Sequence, residues 1–175
     1  HPGRITSLVI ASSPPPSWRL PERALRYLKA PRLMAPVFWL GAPLRAYPEL
    51  KAALPSGRDR WRFVFDHGRR IAAAPASSMR MVRRLRWLET AQFSLDHAID
   101  LPALIVTGEP ELERVVPPAD TLKYRAWLPQ ARVVTLAHTG HNGCVTNACE
   151  FAAAVNGLLA DLPYPSETAR AHRVS

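Results

Sequence analysis

Val133-Val134-Thr135-Leu136 is a short apolar run, and Thr139-Gly140-His141 follows it after two further residues. A second apolar run, Ala103-Leu104-Ile105-Val106-Thr107, ends at Gly108 and opens into a loop rich in carboxylates. Short apolar runs bounded by turn residues are typical of buried strands. Because open α/β sheets place their chemistry at the carboxyl ends of the strands, the two runs predict an acid and a histidine at one edge of a sheet.

The elements around these runs favour a parallel sheet. Ile5 to Ala11 is a third apolar, β-branched run, and we expect it to form another buried strand. Strand and helix patterns alternate through residues 101–162, with strands near 102–107 and 131–136, a helix opening at Pro117-Pro118 and a final helix over about 148–162. Such alternation predicts parallel strands joined by right-handed crossovers.

Between the first two strands, residues 18 to about 95 show helical patterns interrupted by Pro and Gly. We expect helices over Glu22 to Ala30, Arg32 to Leu40, Arg58 to Ala74, and Ser77 or Ser78 to about Phe93. One face of the last helix would carry Met81, Val82, Leu85 and Leu88, and one face of the final helix of the chain Phe151, Val155, Leu158 and Leu159. This stretch is too long for a simple crossover, so we interpret it as an inserted helical lid.

Taken in order, these segments resemble the C-terminal two-thirds of an α/β-hydrolase-fold enzyme with a helical cap. Residues 1–14 are similar to the strand after the nucleophile's helix, residues 104–117 to the strand and loop of the catalytic acid, and residues 133–141 to those of the catalytic histidine. The resemblance implies an α/β fold with a parallel sheet and an inserted cap. Residues 1–15 and 96–175 would belong to the hydrolase core, and residues 16–95 to the cap.

His141 and Glu113 are the catalytic pair that this resemblance implies. A histidine can take the proton of a nucleophile near neutral pH, and a carboxylate behind it holds one tautomer of the ring. Glu113 lies four residues before Pro117, where the family usually has Asp. Other acids remain open as alternatives, namely Glu109, Glu111, Asp96 and Asp120.

The resemblance implies a serine-type hydrolase that acts by acyl transfer on a small, fairly apolar ester, amide or related substrate. The 175 residues contain no Gly-x-Ser-x-Gly, the pattern that holds the nucleophile in this family. We therefore expect the serine and the main oxyanion-hole amides upstream of His1, and no activity from this chain alone. The alternative is a non-catalytic remnant, or a basic binding module, on the same fold.

Charge does not indicate a nucleic-acid partner. The chain has 23 basic and 14 acidic residues, for a formal net charge of +9. Almost all of the basic residues are arginines, and they are spread along the chain. Because Arg, Ala and Pro all have GC-rich codons, base composition accounts for the excess. The one dense stretch, Arg80 to Arg86, predicts a solvated helix face.

The remaining composition predicts a globular chain without bound groups. Hydrophobic residues make up 47% and charged residues 21%, and no apolar run approaches the length of a membrane span. Cys144 and Cys149 lack a matching Cys/His pair for zinc, so we expect two free, mostly buried thiols. We expect no metal, no cofactor, no stable membrane insertion, a small-molecule substrate as partner and a cytoplasmic location.

Overall fold

The computed structural model describes residues 5–73, 77–90 and 97–162, and a three-stranded parallel sheet lies at its centre. The strands are β1 (Leu8–Ala11), β2 (Ala103–Thr107) and β3 (Arg132–Thr135). They lie in chain order, with Ile105 of β2 opposite Ile10 on one side and Val133 on the other. The prediction of a partial α/β fold with three parallel strands is confirmed.

Strand β2 is buried along its whole length, because it has a neighbour on each side and cover on both faces. One face of the sheet packs into a cluster formed by Ile10, Ala103, Ile105, Leu128 and Ala131. The other face packs into a cluster formed by Leu104, Val106, Leu136, Ala154 and Leu158. A strand that is buried on both faces is expected to show an unbroken apolar run, and β2 does.

The other two strands are less buried than their sequences predict. In β1 only Ile10 is buried, and no residue of β3 is buried. Val9 and Val133 are 37% and 38% exposed. The physical reason is position, since both strands form edges of the sheet within the described residues. An apolar run shows that a strand can be buried, but neighbours decide whether it is.

Between β1 and β2 the described residues form four helices: α1 (Glu22–Lys29), α2 (Pro31–Ala53), α3 (Gly57–Ala73) and α4 (Ser78–Thr90). They are called the helical segment below. Helices α1, α2 and α4 pack against one another. On α4, Val82 is buried and Met81, Leu85 and Leu88 are half-buried, as predicted, while Arg80, Arg83 and Arg84 are exposed. The expected end near Phe93 lies outside the described residues.

Helix α2 is much longer than the predicted 32–40. It covers 23 residues and contains Pro36, Pro43 and Pro48. Each internal proline removes one backbone hydrogen bond, and this is why the sequence pattern indicated an early end. The three prolines fall in different turns, so each turn keeps the bonds of its other residues. Packing against α1 and α4 then favours one continuous helix.

After β2 the described residues form three short or amphipathic helices: α5 (Pro118–Thr121), which continues as a 3₁₀ turn to Ala126, α6 (Gly143–Thr146) and α7 (Ala148–Ala160). Phe151, Val155 and Leu158 of α7 pack against the sheet as predicted, but Leu159 is 51% exposed. Its place on the inner face is taken by Ala154, three residues after Phe151. Within the described ranges, no helix has both the length and the apolar character needed to cross a bilayer.

The two cysteines are free, as predicted, but the expectation that they are buried is wrong. Cys144 and Cys149 are both exposed. Helix α7 turns Ala154 and Leu158 toward β2, and Cys149 in its first turn lies off that face.

Candidate active site

Two loops meet at the carboxyl edge of the sheet because glycines allow their backbones to touch. The loop after β2 begins at Gly108, and the loop after β3 contains Gly140. A Cβ added at Gly108 would lie 2.6 Å from the Gly140 Cα and the Thr139 carbonyl oxygen. A Cβ at Gly140 would meet the carbonyl of Leu112. Any side chain at either position would therefore push the two loops apart.

Hydrogen bonds from Glu109 join the two loops. The amide of Glu109 donates to the Thr139 carbonyl at 2.7 Å, and its carboxylate accepts the amide of His138 at 2.8 Å. The carbonyl of Glu109 also accepts the amide of Glu113 at 2.9 Å, which closes one helical turn within the loop. This turn returns the chain toward the sheet and places Glu113 opposite the loop of β3.

The turn before His141 is equally well fixed. His138 has φ 58°, in the left-handed region that non-glycine residues rarely adopt. Thr139 is fully buried, and its hydroxyl donates to the Leu136 carbonyl at 3.0 Å. The amide of Ala137 donates to the carboxylate of Glu150 at 3.2 Å. These contacts reverse the chain directly after β3 and bring His141 back over the sheet edge.

Glu113 is a buried carboxylate that is held by its own loop. The residue is 8% exposed, and Oε1 accepts the amides of Val115 at 2.7 Å and Val116 at 3.0 Å. Burial alone would raise the pKa of this carboxyl, but the interaction with His141 and the two backbone amides outweigh it, so the pKa lies below the usual 4.5. Glu113 is therefore ionised at neutral pH.

The ring of His141 faces this carboxylate. Nδ1 lies 3.4 Å from Oε1 of Glu113, which is long for a hydrogen bond. Nδ1 of His141 and Oε2 of Glu113 are both buried, and neither makes a hydrogen bond to a described residue. Oε1 already accepts two amides, so Oε2 is the oxygen of this carboxylate that has no partner among the described residues. The ring is 36% exposed, so its exposed surface belongs to atoms other than Nδ1.

The alternative acids lie elsewhere. Glu109 is committed to the amide of His138, and Glu111 is exposed. Asp120 pairs with Lys123 at 2.6 Å. Asp96 lies outside the described residues. The structure thus brings together Glu113 and His141 from the predicted set. Among the described residues, no group of three or more potential ligands is placed to hold a metal ion.

One residue of this region has no signal in the sequence. Glu49 of α2 is 2% exposed, and its carboxylate accepts the amide of Asn142, the residue directly after His141, at 2.9 Å. The contact spans 93 positions of the chain. A glutamate near the end of a helix is usually solvated, so no pattern in the sequence distinguishes this one.

Solved structures share this architecture. MGS-M2, an alpha/beta hydrolase enzyme from a Medee basin deep-sea metagenome library, matches 95% of the chain with a TM-score of 0.56 and 17% identity. The chain has a partial α/β-hydrolase fold. A thermophilic esterase matches 91% of the chain, with a TM-score of 0.56 and 17% identity. Rv0554 from Mycobacterium tuberculosis matches 93%, with a TM-score of 0.61 and 16% identity.

The match covers only part of these proteins. The chain spans 60%, 57% and 59% of the three solved structures in the order given. No protein-family profile matches the sequence, and no curated protein does. At 16–17% identity the likeness is one of fold, so the chemistry must be argued from the site itself.

Proposed function

We propose that this chain carries the acid and the base of a serine-type hydrolase, with Glu113 as the acid and His141 as the general base. The observation that supports this most directly is the buried carboxylate of Glu113, 3.4 Å from Nδ1 of His141 at the carboxyl edge of the sheet. A carboxylate behind one ring nitrogen is the arrangement that makes the other nitrogen a base. The nucleophilic serine would come from sequence outside these 175 residues.

The chemistry proposed for this site is acyl transfer. Glu113 holds the proton of His141 on Nδ1, and Nε2 accepts the proton of the serine hydroxyl as Oγ bonds to the substrate carbonyl carbon. The same proton passes from Nε2 to the leaving group when its bond to carbon breaks. Water then attacks the acyl carbon with His141 again as the base, and the carboxylic acid product leaves as the serine regains its proton. Glu113 stabilises the imidazolium in both steps.

The organisation proposed around this site follows the resemblance. Residues 1–15 and 96–175 form part of the hydrolase core, and residues 16–95, which contain the helical segment, form its cap. The substrate is a small, fairly apolar ester, amide or related compound. The cavity between α1 and α4, about 480 Å³, contains neither His141 nor Glu113 in its lining, so it is no part of this proposal. A cytoplasmic location also remains a prediction, which cell fractionation would test.

The alternative function is a non-catalytic remnant or basic binding module on the same fold. The absence of Gly-x-Ser-x-Gly from the 175 residues favours it. The two functions are separated by the reading frame upstream of His1. An open frame that encodes Gly-x-Ser-x-Gly supports the hydrolase, and a genuine start codon at that point supports the remnant.

The hydrolase is tested by activity of the full-length protein encoded by that frame. We expect it to hydrolyse p-nitrophenyl butyrate, and we expect His141→Ala to lower kcat/KM by about 10⁴-fold or more, because triad residues act as a unit. His138→Asn is the matched control, since Asn tolerates the left-handed backbone of that position. Full activity in His141→Ala would refute the proposed function.

A further inference from the structure

Glu49 is more deeply buried than Glu113, at 2% against 8% exposure, although nothing in the proposed chemistry uses it. Its side chain leaves the helical segment and meets the loop of His141. Oε1 accepts the amide of Asn142 at 2.9 Å and lies 3.0 Å from the hydroxyl of Thr146. Oε2 lies 3.1 Å from the same amide and accepts the side-chain amide of Asn142 at 3.0 Å.

Burial of this carboxylate needs a physical reason. A carboxylate loses its hydration when it is buried, and that loss is costly unless donors replace the water. Here three donors from Asn142 and Thr146 converge on the two oxygens, and hydrogen bonds to a charged acceptor are shorter and stronger than neutral ones. A glutamate that served only to end α2 would remain in solvent. Its direction and its partners indicate a role at the His141 loop.

The contact restrains the backbone of His141. The amide that Glu49 binds belongs to the peptide plane joining His141 to Asn142, so fixing that amide fixes one backbone dihedral of the histidine. The bond to Thr146 fixes α6, which begins two residues after His141. Among the described residues, the polar contact of the ring is the one with Glu113, at 3.4 Å, and 36% of its side chain is exposed.

We infer that Glu49 is a positioning residue that orients His141 and couples its orientation to the docking of the helical segment. The inference rests on the function proposed above. When α2 is seated, Glu49 holds the Asn142 peptide and His141 faces Glu113. When α2 is displaced, the donors of Asn142 and Thr146 lose their acceptor, and the ring is free to turn away from Glu113.

Glu49→Gln in the full-length protein tests the inference. Gln keeps the size and one acceptor oxygen, but its NH₂ group then faces a donor of Asn142 or Thr146. We expect kcat to fall about 10- to 100-fold, because small misplacements of a catalytic group have effects of that size. KM should change less than about twofold, since Glu49 is 2% exposed and its carboxylate is bound by Asn142 and Thr146. Glu22→Gln is the matched control in the helical segment, because that side chain is 81% exposed.

A double-mutant cycle identifies the route of the effect. Thr146→Val removes one donor to Glu49, and with it the contact of the same hydroxyl with the Asn142 carbonyl at 3.1 Å, and we expect it to lower kcat by about 3- to 10-fold. Combined with Glu49→Gln, its effect should be less than multiplicative, because both changes break the same network. If Glu49→Gln does not fold, Thr146→Val alone decides, and an unchanged kcat in that variant overturns the inference.

NMR of the His141 ring separates failure of the inference from failure of the proposed function. We expect one set of ring signals in the wild type and broadened or doubled signals in Glu49→Gln, whether or not the protein hydrolyses esters. A wild type with no hydrolase activity would refute the proposed function and leave this measurement to judge Glu49. A lower melting temperature in Glu49→Gln with unchanged kcat and ring signals would overturn the inference, since Glu49 would then be a structural contact only.

Discussion

Replacement of Glu113 by Gln is the sharpest perturbation of the proposed pair, because it keeps the shape of the side chain and removes its charge. The amides of Val115 and Val116 donate to Oε1, so the amide oxygen of the glutamine must take that position. The NH₂ group then takes the position of Oε2. The negative charge 3.4 Å from Nδ1 is thereby lost, so the ring should shift toward the tautomer that carries its proton on Nε2.

This change of tautomer sets the expected size of the effect. With Nε2 protonated, His141 cannot accept the proton of a serine, and the imidazolium also loses its counter-charge. The corresponding change in a well-studied triad costs about 10⁴-fold. We expect a loss of kcat/KM between about 10² and 10⁴-fold, since the 3.4 Å contact is looser than a formed hydrogen bond. That range corresponds to about 3–5 kcal/mol of transition-state stabilisation.

The assay is hydrolysis of p-nitrophenyl butyrate by the full-length protein, with ¹⁵N NMR of the His141 ring to report the tautomer. Glu111→Gln is the matched control on the same loop, because Glu111 is exposed. We expect that control to keep wild-type activity. A silent Glu113→Gln together with a crippling Glu111→Gln or Asp96→Asn would refute the assignment of the acid and leave the fold untouched.

Two further predictions concern the loops and the charge of Glu113. Gly140→Ala should lower kcat/KM about 10²-fold or more, because its Cβ would meet the Leu112 backbone and separate the loops. Gly68→Ala in α3 is the control, because a Cβ at that position has no atom within 4 Å. In urea unfolding it should be neutral or stabilising by up to about 1 kcal/mol. Because folding lowers the pKa of Glu113, its ionisation stabilises the fold above about pH 4.5, and this contribution is lost as the pH falls through the lower folded value. Urea titrations should therefore show a steeper loss of stability below about pH 4.5 in the wild type than in Glu113→Gln; equal slopes would contradict this.

The sequence predicts well the parts of this fold that depend on local pattern. Strand β2 is predictable from the sequence, because a strand covered on both faces requires an unbroken apolar run. Helix α4 is predictable because its apolar residues repeat at helical spacing. The sequence does not predict that β1 and β3 lie at edges among the described residues, because the burial of a strand depends on which elements lie beside it. The length of α2 was missed because tertiary packing outweighed the three prolines.

The candidate site also has parts that the sequence predicts and parts that it does not. His141 follows its strand closely, so its place at the sheet edge could be predicted from sequence order. Glu113 was selected among the acids by its place four residues before Pro117, as the resemblance implies, but the turn that Glu109 closes is not contained in a sequence pattern. Glu49 could not be predicted at all, since its partner lies 93 positions away and no local feature marks it.

The geometry of Glu113 is compatible with the proposed use of Glu in place of Asp. A glutamate is longer by one methylene, so an extended side chain would overreach a ring placed for aspartate. Here Oε1 binds the amides two and three residues later in the chain, and this curls Glu113 back on its own loop. The curl takes up the extra length and keeps the carboxylate beside the ring, with Oε1 3.4 Å from Nδ1. The departure from Asp is therefore compatible with the proposed role, provided that both loops keep the close approach that Gly108 and Gly140 allow.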